Sequence, residues 1–339
     1  MSGSEHRHEY PEELIASLLA TAARALEWMV PKPAYRASLA KSDGSPVTAA
    51  DVTVQLLLLH ELRRRAGAVR VIAEESAASL GDDAGAWMLV SQALEEFRPW
   101  SGLASGTAAD LGSALAWGRE AARDEYWSID PIDGTSGWVA GRAYCACVAL
   151  VKGGRAQAGG ILMPPPPRDW HSIPAVRDGI FLTASIGEGC RSRSLEAGQV
   201  GNTIGAVRRG PVHHPPVWLC SVRGGPRTER GRRVLARAAP GSQPLPIDSQ
   251  CKYGLVALGQ GDVAFRVART GSSPEQAWDH AAGMLVASEA GAKSSDVMGK
   301  EIDFGPDGLM SRTTGTLACA GELHQPIVDG IAVELRSNE

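Results

Sequence analysis

The chain has 339 residues, 44% of them hydrophobic, and a formal net charge of -4. This length and apolar content allow a large buried core, which excludes a disordered chain. An acidic chain is poorly suited to neutralising a phosphate backbone, so we expect no nucleic-acid polymer as a partner, whereas a small anionic ligand remains possible.

The first predicted elements are helices. From Pro11 to Met29 the apolar residues recur at helical spacing, which predicts an amphipathic helix. Thr48, with Asp51 three residues later, forms a capping-box pattern, which predicts the start of a leucine-rich helix that continues through Arg65. We therefore assign Asp51 mainly to this helix cap.

Two predicted strands end in acidic residues. The run from Val69 to Ala73 ends in Glu74 and Glu75, and the run from Tyr126 to Ile129 ends in Asp130. Both strands would deliver carboxylates at their ends.

Two further apolar runs, Tyr144 to Val151 and Ala158 to Met163, predict buried strands. The prolines from Pro164 to Pro167 interrupt this pattern, so we predict an N-terminal half of residues 1–164 and a C-terminal half of residues 165–339. The segment from Arg168 to Pro246 is rich in Arg, Gly and Pro, and its weak periodicity predicts no definite element.

Regular patterns return near the C-terminus. The run from Lys252 to Val267 has the pattern of strands and loops, and Trp278 to Ala290 predicts a helix closed by Gly291. The resulting order of elements is typical of an α/β protein.

The cysteines and the polar N-terminus indicate the cellular compartment of the protein. Six cysteines without regular spacing predict reduced thiols. Residues 1–10 lack the apolar stretch of a signal peptide, and no run approaches the ~20 apolar residues that span a bilayer, so we expect a cytoplasmic protein that does not bind a membrane. Cys145 and Cys147 would share one face of a strand, and we favour core packing over metal ligation for them.

The segment from Trp127 to Thr135 reads WSIDPIDGT and is the most informative string in the chain. Its proline fixes a turn, its two Asp residues offer the hard oxygens that Mg²⁺ prefers, and Gly-Thr leaves amides that can approach a phosphate. Such a string alone is more often an acidic β-turn. Other separated acids favour a functional site, namely Asp43 before a helix, the Glu74–Glu75 pair and Asp279 at a helix start.

Together these strings resemble the inositol monophosphatase superfamily in order and rough spacing, from residue 41 to residue 291. The resemblance implies a layered α/β/α/β/α sandwich of the inositol monophosphatase and fructose-1,6-bisphosphatase type. It also implies a magnesium-dependent, lithium-sensitive phosphatase that hydrolyses its substrate without a covalent intermediate.

Within the superfamily the chain looks most like the 3'(2'),5'-bisphosphate nucleotidases, which remove the 3'-phosphate of 3'-phosphoadenosine 5'-phosphate. Three strings carry this finer resemblance, namely KSDGSPVTAAD at residues 41–51, DSQCKYG at residues 248–254 and GDVAFR at residues 261–266. The resemblance implies a small phosphorylated nucleotide as substrate.

The resemblance also implies roles for individual residues. Two or three Mg²⁺ ions would be held by four carboxylates and one backbone carbonyl, and these ligands are Glu74, Asp130, Asp133, Asp279 and the carbonyl of Ile132. Asp43 and the Thr135 hydroxyl would form a hydrogen-bonded pair that activates the attacking water. The amides near Gly134 and Thr135 would hold the reacting phosphate.

For the nucleotide end, the resemblance points to Ser249, Lys252 and Arg266 as contacts to the second phosphate and the adenosine. A lone Lys or Arg is more often a solvated surface charge. Glu75 would support the neighbouring metal ligand, whereas His280 fits helix packing or hydrogen bonding better than Mg²⁺ ligation.

The chain departs from the nucleotidases at three places. Residues 221–227 lack the substrate-contacting His of a Glu-x-x-His stretch, Ser136 stands where Lys is usual, and Ala73 stands where Gly is usual. Arg223 and Arg227 would supply replacement positive charge. Three alternatives follow: an inositol phosphate phosphatase, a phosphatase for an unusual phosphorylated nucleoside, or a catalytically silent nucleotide sensor. The complete set of acids with Thr135 argues against a silent protein.

Overall fold

The computed structural model describes residues 11–119, 124–165, 178–196, 199–267 and 274–336. Its α-helices are α1 (Pro11–Met29), α2 (Ala49–Ala66), α3 (Ala77–Leu80), α4 (Ala84–Ser101), α5 (Ala108–Leu115), α6 (Thr135–Val139), α7 (Pro226–Ala238), α8 (Cys251–Ala257), α9 (Ala281–Glu289) and α10 (Gly321–Arg336). Short 3-10 helices cover Pro33–Arg36 and Ala277–Asp279.

The described strands are β1 (Ser38–Ala40), β2 (Pro46–Thr48), β3 (Val71–Ala73), β4 (Glu125–Asp133), β5 (Cys145–Lys152), β6 (Arg155–Met163), β7 (Ile180–Ser185), β8 (Gly189–Glu196), β9 (Gln199–Val207), β10 (Val217–Cys220), β11 (Gln243–Pro246), β12 (Val263–Arg266), β13 (Lys293–Ser295) and β14 (Thr316–Cys319). They form a two-stranded ribbon of β1 and β2, a seven-stranded sheet in the order β3 to β9, and a five-stranded sheet in the order β11-β10-β12-β14-β13.

Three clusters of buried side chains define the layers. The first joins α1, α2 and α4 to one face of the seven-stranded sheet. The second joins the opposite face to α8 and α9, and also reaches the near face of the five-stranded sheet. The third lies between the far face of that sheet and helices α7 and α10. Helix and sheet layers therefore alternate as α/β/α/β/α, which confirms the predicted fold class.

The early elements agree with the sequence patterns. The first helix spans Pro11–Met29, as predicted, and α2 begins after an N-cap at Thr48. The Thr48 hydroxyl accepts from the amide of Asp51, while the Asp51 side chain accepts from the amide of Thr48 at 2.7 Å. The predicted capping box is confirmed.

Two regions differ from the patterns. Residues 251–257 form helix α8 instead of a strand or loop, and the predicted helix from Trp278 to Ala290 consists of a 3-10 turn followed by α9. Within the described part of the weakly patterned segment lie β7 to β11 and α7. A short helix such as α8 is hard to recognise because seven residues give fewer than two helical turns of periodicity.

The predicted division at residue 164 falls inside the seven-stranded sheet, because β6 pairs with β7 across it. That division stays a prediction about domains, but it does not separate the two sheets. Among the described helices, all are too short or too polar to traverse a bilayer.

Candidate active site

The turn that follows β4 organises the site. The pairing of β4 with β5 is irregular between Asp130 and Asp133, and the Ile132 amide donates to the Asp130 carboxylate at 3.1 Å. Gly134 has a φ of 90°, and a Cβ atom there would lie 2.9 Å from the Cβ of Ser249. A glycine is therefore required where the turn meets the Ser249 loop.

The second acidic pair lies beside this turn because β3 and β4 are parallel neighbours. The Glu74 amide donates to the carbonyl of Ile129 at 3.1 Å. The Gln55 side chain binds both the amide and the carbonyl of Glu75, at 2.8 and 2.7 Å, and the Lys41 amine lies 2.7 Å from a carboxylate oxygen of each glutamate. These contacts fix the directions of both glutamate side chains.

Gln250 connects the turn to the predicted ligand from the C-terminal half, Asp279. Its amide donates to the Asp133 carboxylate at 2.6 Å, and its side-chain nitrogen donates to the carbonyl of Trp278 at 2.7 Å. Its side-chain oxygen accepts from the Gly283 amide at 2.9 Å, near the start of α9. Gln250 thus fixes the position of Asp133 relative to the turn that carries Asp279.

The carboxylates repel one another. Burial raises the pKa of Asp130 well above its usual value, and the neighbouring charges of Glu74, Asp133 and Asp279 raise it further. Burial and then Asp279 raise the pKa of Asp133 to about 7. Burial also raises the pKa of Asp279.

Such a buried group of oxygen donors suits a hard divalent cation, which would offset the repulsion. The donor set consists of carboxylates with the nearby carbonyl of Ile132, and Mg²⁺ prefers oxygen ligands. The residues present therefore fit the predicted magnesium site.

We expect the metal-free protein to be more stable at pH 6 than at pH 8. Burial and neighbouring acids raise the pKa of Asp51 to about 8, and those of Glu75 and Asp133 to about 7. In the unfolded state the pKa values of these carboxyl groups are about 4. Between about pH 4 and about pH 8 the folded protein therefore binds more protons than the unfolded protein, so the free energy of unfolding falls as pH rises through this range. Burial lowers the pKa of His324, so the titration of this residue changes stability in the opposite direction.

Urea unfolding at both pH values, in chelator and in excess Mg²⁺, measures this dependence. Bound Mg²⁺ should reduce the difference, because it stabilises the ionised acids. A metal-free protein that is less stable at pH 6 than at pH 8 would contradict the electrostatic description of the cluster.

The predicted pair of Asp43 and Thr135 is wrong as a contact. Asp43 is exposed, and its carboxylate accepts from the amide and hydroxyl of Ser45 at 2.9 and 2.7 Å. The Thr135 hydroxyl instead donates to Asp51 at 3.1 Å and lies 3.2 Å from the carbonyl of Ile132. The physical reason is that the 41–46 loop carries Asp43 towards solvent, whereas the start of α2 directs Asp51 inwards.

Asp51 has two structural partners. One oxygen accepts from the Thr48 amide and hydroxyl at 2.7 and 2.5 Å, and the other accepts from Thr135. The side chain is fully buried, and burial followed by the charges of Glu75 and Glu74 raises its pKa to about 8. Asp51 is therefore both the helix cap and the partner of the Thr135 hydroxyl.

The predicted nucleotide contacts lie close to this cluster, with the Lys252 charge near Asp133 and the Arg266 charge near Asp279. Ser249 adopts a φ of 66° next to Gly134, and Arg266 forms an ion pair with Glu275 at 2.5 Å. Burial lowers the pKa of Lys252, and the nearby Arg266 charge lowers it further. The structure thus brings two cations together close to the acidic cluster.

His280 is a hydrogen-bonding residue, as predicted. One ring nitrogen lies 2.8 Å from the Tyr253 hydroxyl, and the other lies 2.9 Å from Glu275. Tyr253 continues the chain to the Thr316 hydroxyl at 3.0 Å. This buried chain supports the Glu275 carboxylate that holds Arg266.

Arg223 reaches the turn from the C-terminal half. Its guanidinium donates to the Ser136 hydroxyl at 2.6 Å, directly after Thr135. The Asp248 carboxylate fixes the Arg223 loop by accepting from the Ser221 hydroxyl and the Val222 amide, at 2.9 and 3.3 Å. The structure therefore places a cation beside the predicted phosphate-binding turn.

The sequence patterns did not indicate that Lys41, Gln55 and Gln250 shape the site. For Asp51 they indicated the helix cap but not the hydrogen bond with Thr135. The polar side chains of Gln55 and Gln250 interrupt apolar or motif-like strings, and both are nearly or fully buried. A buried Gln requires hydrogen-bond partners, so these positions carried a signal for a fixed polar network.

Comparisons with known proteins show which family and fold the chain resembles. The sequence model of the inositol monophosphatase family matches residues 12–332. A 3'(2'),5'-bisphosphate nucleotidase from Emericella nidulans is 27% identical over 346 residues, covering 96% of this chain and 98% of the relative. A probable 3'(2'),5'-bisphosphate nucleotidase 4 from Arabidopsis thaliana is 29% identical, covering 95% and 94%. The solved IMPase of Thermotoga maritima has a TM-score of 0.62 at 17% identity, covering 96% and 98%, which supports the fold.

Proposed function

Because the chain belongs to the inositol monophosphatase family, we propose that it hydrolyses the 3'-phosphate of 3'-phosphoadenosine 5'-phosphate or of a related phosphorylated nucleotide. The observation that carries this proposal is the Asp51–Thr135 hydrogen bond beside the buried carboxylates. A base and a cation-binding cluster at one turn are what hydrolysis by an activated water requires.

We propose that Mg²⁺ is held by Glu74, Asp130, Asp133, Asp279 and the carbonyl of Ile132. Bound there, Mg²⁺ would neutralise phosphate charge and lower the pKa of the attacking water. The number of ions, two or three, is part of the same proposal, as is inhibition by lithium.

Side chains and backbone amides of the protein would activate the water, bind the phosphate and orient the carboxylates. Asp51 accepts the Thr135 hydrogen, which leaves the lone pairs of the Thr135 hydroxyl free to accept a proton from water. The amides of Gly134 and Thr135 would hold the phosphate in line with that water. Lys41, which contacts Glu74 and Glu75, would keep both carboxylates oriented.

Selectivity for a nucleotide rests on the neighbouring cations. Lys252 and Arg266 provide positive charge for a second phosphate, and Ser249 lies at the turn itself. The names of the two curated relatives support the same substrate class. A cytoplasmic location, supported by six unpaired and buried cysteines, completes the proposal.

The test compares phosphate release from 3'-phosphoadenosine 5'-phosphate and from inositol 1-phosphate, in Mg²⁺ with and without Li⁺. Asp130→Asn serves as the control for contaminating activity. Preference for the nucleotide, suppressed by Li⁺ and absent from the control, supports the proposal. Preference for inositol 1-phosphate would show that the protein is an inositol phosphate phosphatase. If neither compound releases phosphate, a phosphatase for an unusual phosphorylated nucleoside or a catalytically silent sensor is favoured.

Arg223→Ala should lower kcat/KM for the nucleotide by about 10- to 100-fold, because a charge-assisted hydrogen bond to phosphate is lost. The side chain lies at Ser136, so we expect the loss for nucleotides with one or two phosphates. Arg232→Ala is the matched control, since Arg232 lies on α7 and pairs with Glu229 at the surface. If kcat/KM is the same as in the wild type both in Arg223→Ala and in a variant that also carries Arg227→Ala, neither arginine contacts the substrate.

A further inference from the structure

A group of thiols lies directly beneath the carboxylate cluster. The sulfurs of Cys145 and Cys147 are 3.6 Å apart, and the Cys145 sulfur is 3.9 Å from an Asp133 oxygen. One donor atom from each of these residues lies within 4.8 Å of the other two. Both cysteines are buried as predicted, on the face of β5 that packs towards α8.

These distances agree with the edges of a tetrahedral thiolate site. A zinc–sulfur bond of about 2.3 Å gives a sulfur–sulfur edge of about 3.8 Å, and a zinc–oxygen bond of about 2.1 Å gives an oxygen–sulfur edge of about 3.6 Å. The Cys145–Cys147 and Cys145–Asp133 separations need to change by only a few tenths of an ångström, and the Cys147 and Asp133 donor atoms lie within 4.8 Å of each other. The backbone also fixes them, because Cys145 pairs with Asp133 in the β4–β5 register.

A third thiol adjoins the group. Cys251, the first residue of α8, donates to the carbonyl of Tyr144 at 3.3 Å and interacts with the Cys145 side chain. The two sulfurs of Cys145 and Cys147 and one Asp133 oxygen are a donor set that favours thiophilic ions such as Zn²⁺ and Cd²⁺ over Mg²⁺, and Cys251 keeps a further sulfur beside it.

We propose that Asp133, Cys145 and Cys147 form a second cation site that binds Zn²⁺ or Cd²⁺. Binding replaces the two thiol protons of Cys145 and Cys147, which pass to solvent, and no electron transfer is involved. The ion enters at Asp133, whose side chain is only partly buried.

An ion bound at this site would inhibit the enzyme, a consequence that rests on the proposed function. Asp133 belongs to both donor sets, so an ion held by the thiols withdraws one carboxylate oxygen from the magnesium cluster. It also disturbs the hydrogen bond from the Gln250 amide to Asp133. Inhibition by Zn²⁺ or Cd²⁺ should therefore depend on cysteines that the hydrolytic reaction does not use.

The experiment titrates the full-length protein in excess Mg²⁺ with Cd²⁺ and follows thiolate-to-metal charge-transfer absorption in the ultraviolet. The variants are Cys145→Ala, Cys147→Ala and Cys251→Ala, and Cys220→Ala is the control because Cys220 is buried in a different cluster. Circular dichroism and thermal melts establish that each variant is folded. Phosphate release at each Cd²⁺ concentration is measured in parallel.

We expect one Cd²⁺ per chain with charge-transfer absorption in the wild type and the control, and loss of that band in Cys145→Ala. The Cd²⁺ concentration for half-inhibition should rise at least about 10-fold in Cys145→Ala and Cys147→Ala, with little change in the control. Absence of the band in the wild type, or equal inhibition in all variants, would overturn the proposal. Since the absorption titration needs no substrate, it decides the site even if the proposed phosphatase activity fails.

Discussion

Asp51→Asn should lower kcat by about 10²- to 10⁴-fold, whereas Asp43→Asn should leave it nearly unchanged. Loss of a general base typically has this magnitude. The Asp51 carboxylate accepts the Thr135 hydrogen bond at 3.1 Å, while Asp43 is exposed and bonds only to Ser45 among the described residues. Two acids of the same string, eight positions apart, are thus assigned opposite importance.

The Asn substitution is suited to this test because it keeps the shape of the side chain. The Asn oxygen can still accept from the Thr48 amide and hydroxyl, but the NH₂ group that replaces the other carboxylate oxygen cannot accept from Thr135. Because both Thr48 hydrogen bonds of the α2 capping box can be kept and a buried charge near Glu75 and Glu74 is removed, we expect no loss of stability in the metal-free protein. Thermal melts establish that a loss of activity does not reflect unfolding.

Steady-state kinetics of both variants and of Thr135→Ala measure the prediction. Thr135→Ala should resemble Asp51→Asn, because the two groups act as one unit. A large loss in Asp43→Asn together with an active Asp51→Asn would restore the original sequence-based pair and refute the corrected one.

Asp130→Asn should lower kcat at least about 10²-fold and yet stabilise the metal-free protein. Its carboxylate is buried among Glu74, Asp133 and Asp279, and its pKa is raised well above the usual value. Losing a group that stabilises transition-state charge has a kinetic effect of this size. Removing one of several mutually repelling buried charges should raise the melting temperature when no cation is present.

Melting temperatures in chelator and in excess Mg²⁺ test the second half of this prediction. The wild type should gain more stability from Mg²⁺ than Asp130→Asn does. Asp82→Asn is the control, since Asp82 is exposed, and it should behave like the wild type. If Asp130→Asn melts at a lower temperature than the wild type in chelator, the acids are not a strained cation site.

The sequence predicted those parts of the site that local pattern determines. The capping box of Thr48 and Asp51 depends on residues three apart, and the string from Trp127 to Thr135 contains the whole turn. The acids at the ends of β3 and β4 could be expected together once the strands were recognised. Local hydrogen bonding and strand ends need no knowledge of the overall topology.

The remaining contacts join residues that are far apart in sequence. Asp51 and Thr135 are 84 positions apart, and the Gln250 amide reaches Asp133 across 117 positions. The capping role of Asp51 fully accounted for its place in the pattern, so its second partner left no local signal. Arg223 was recognised only as a cation of unknown position, because the fold of its segment gave weak periodicity.

In the proposed reaction, a water activated at Asp51 and Thr135 attacks the 3'-phosphate of a bisphosphate nucleotide. It is tested most directly by hydrolysing 3'-phosphoadenosine 5'-phosphate in ¹⁸O-labelled water with Mg²⁺ and analysing the products after a single turnover. We predict adenosine 5'-phosphate without label, and inorganic phosphate that carries one labelled oxygen. Formation of adenosine 3'-phosphate, label in the nucleotide, or no hydrolysis would contradict this account.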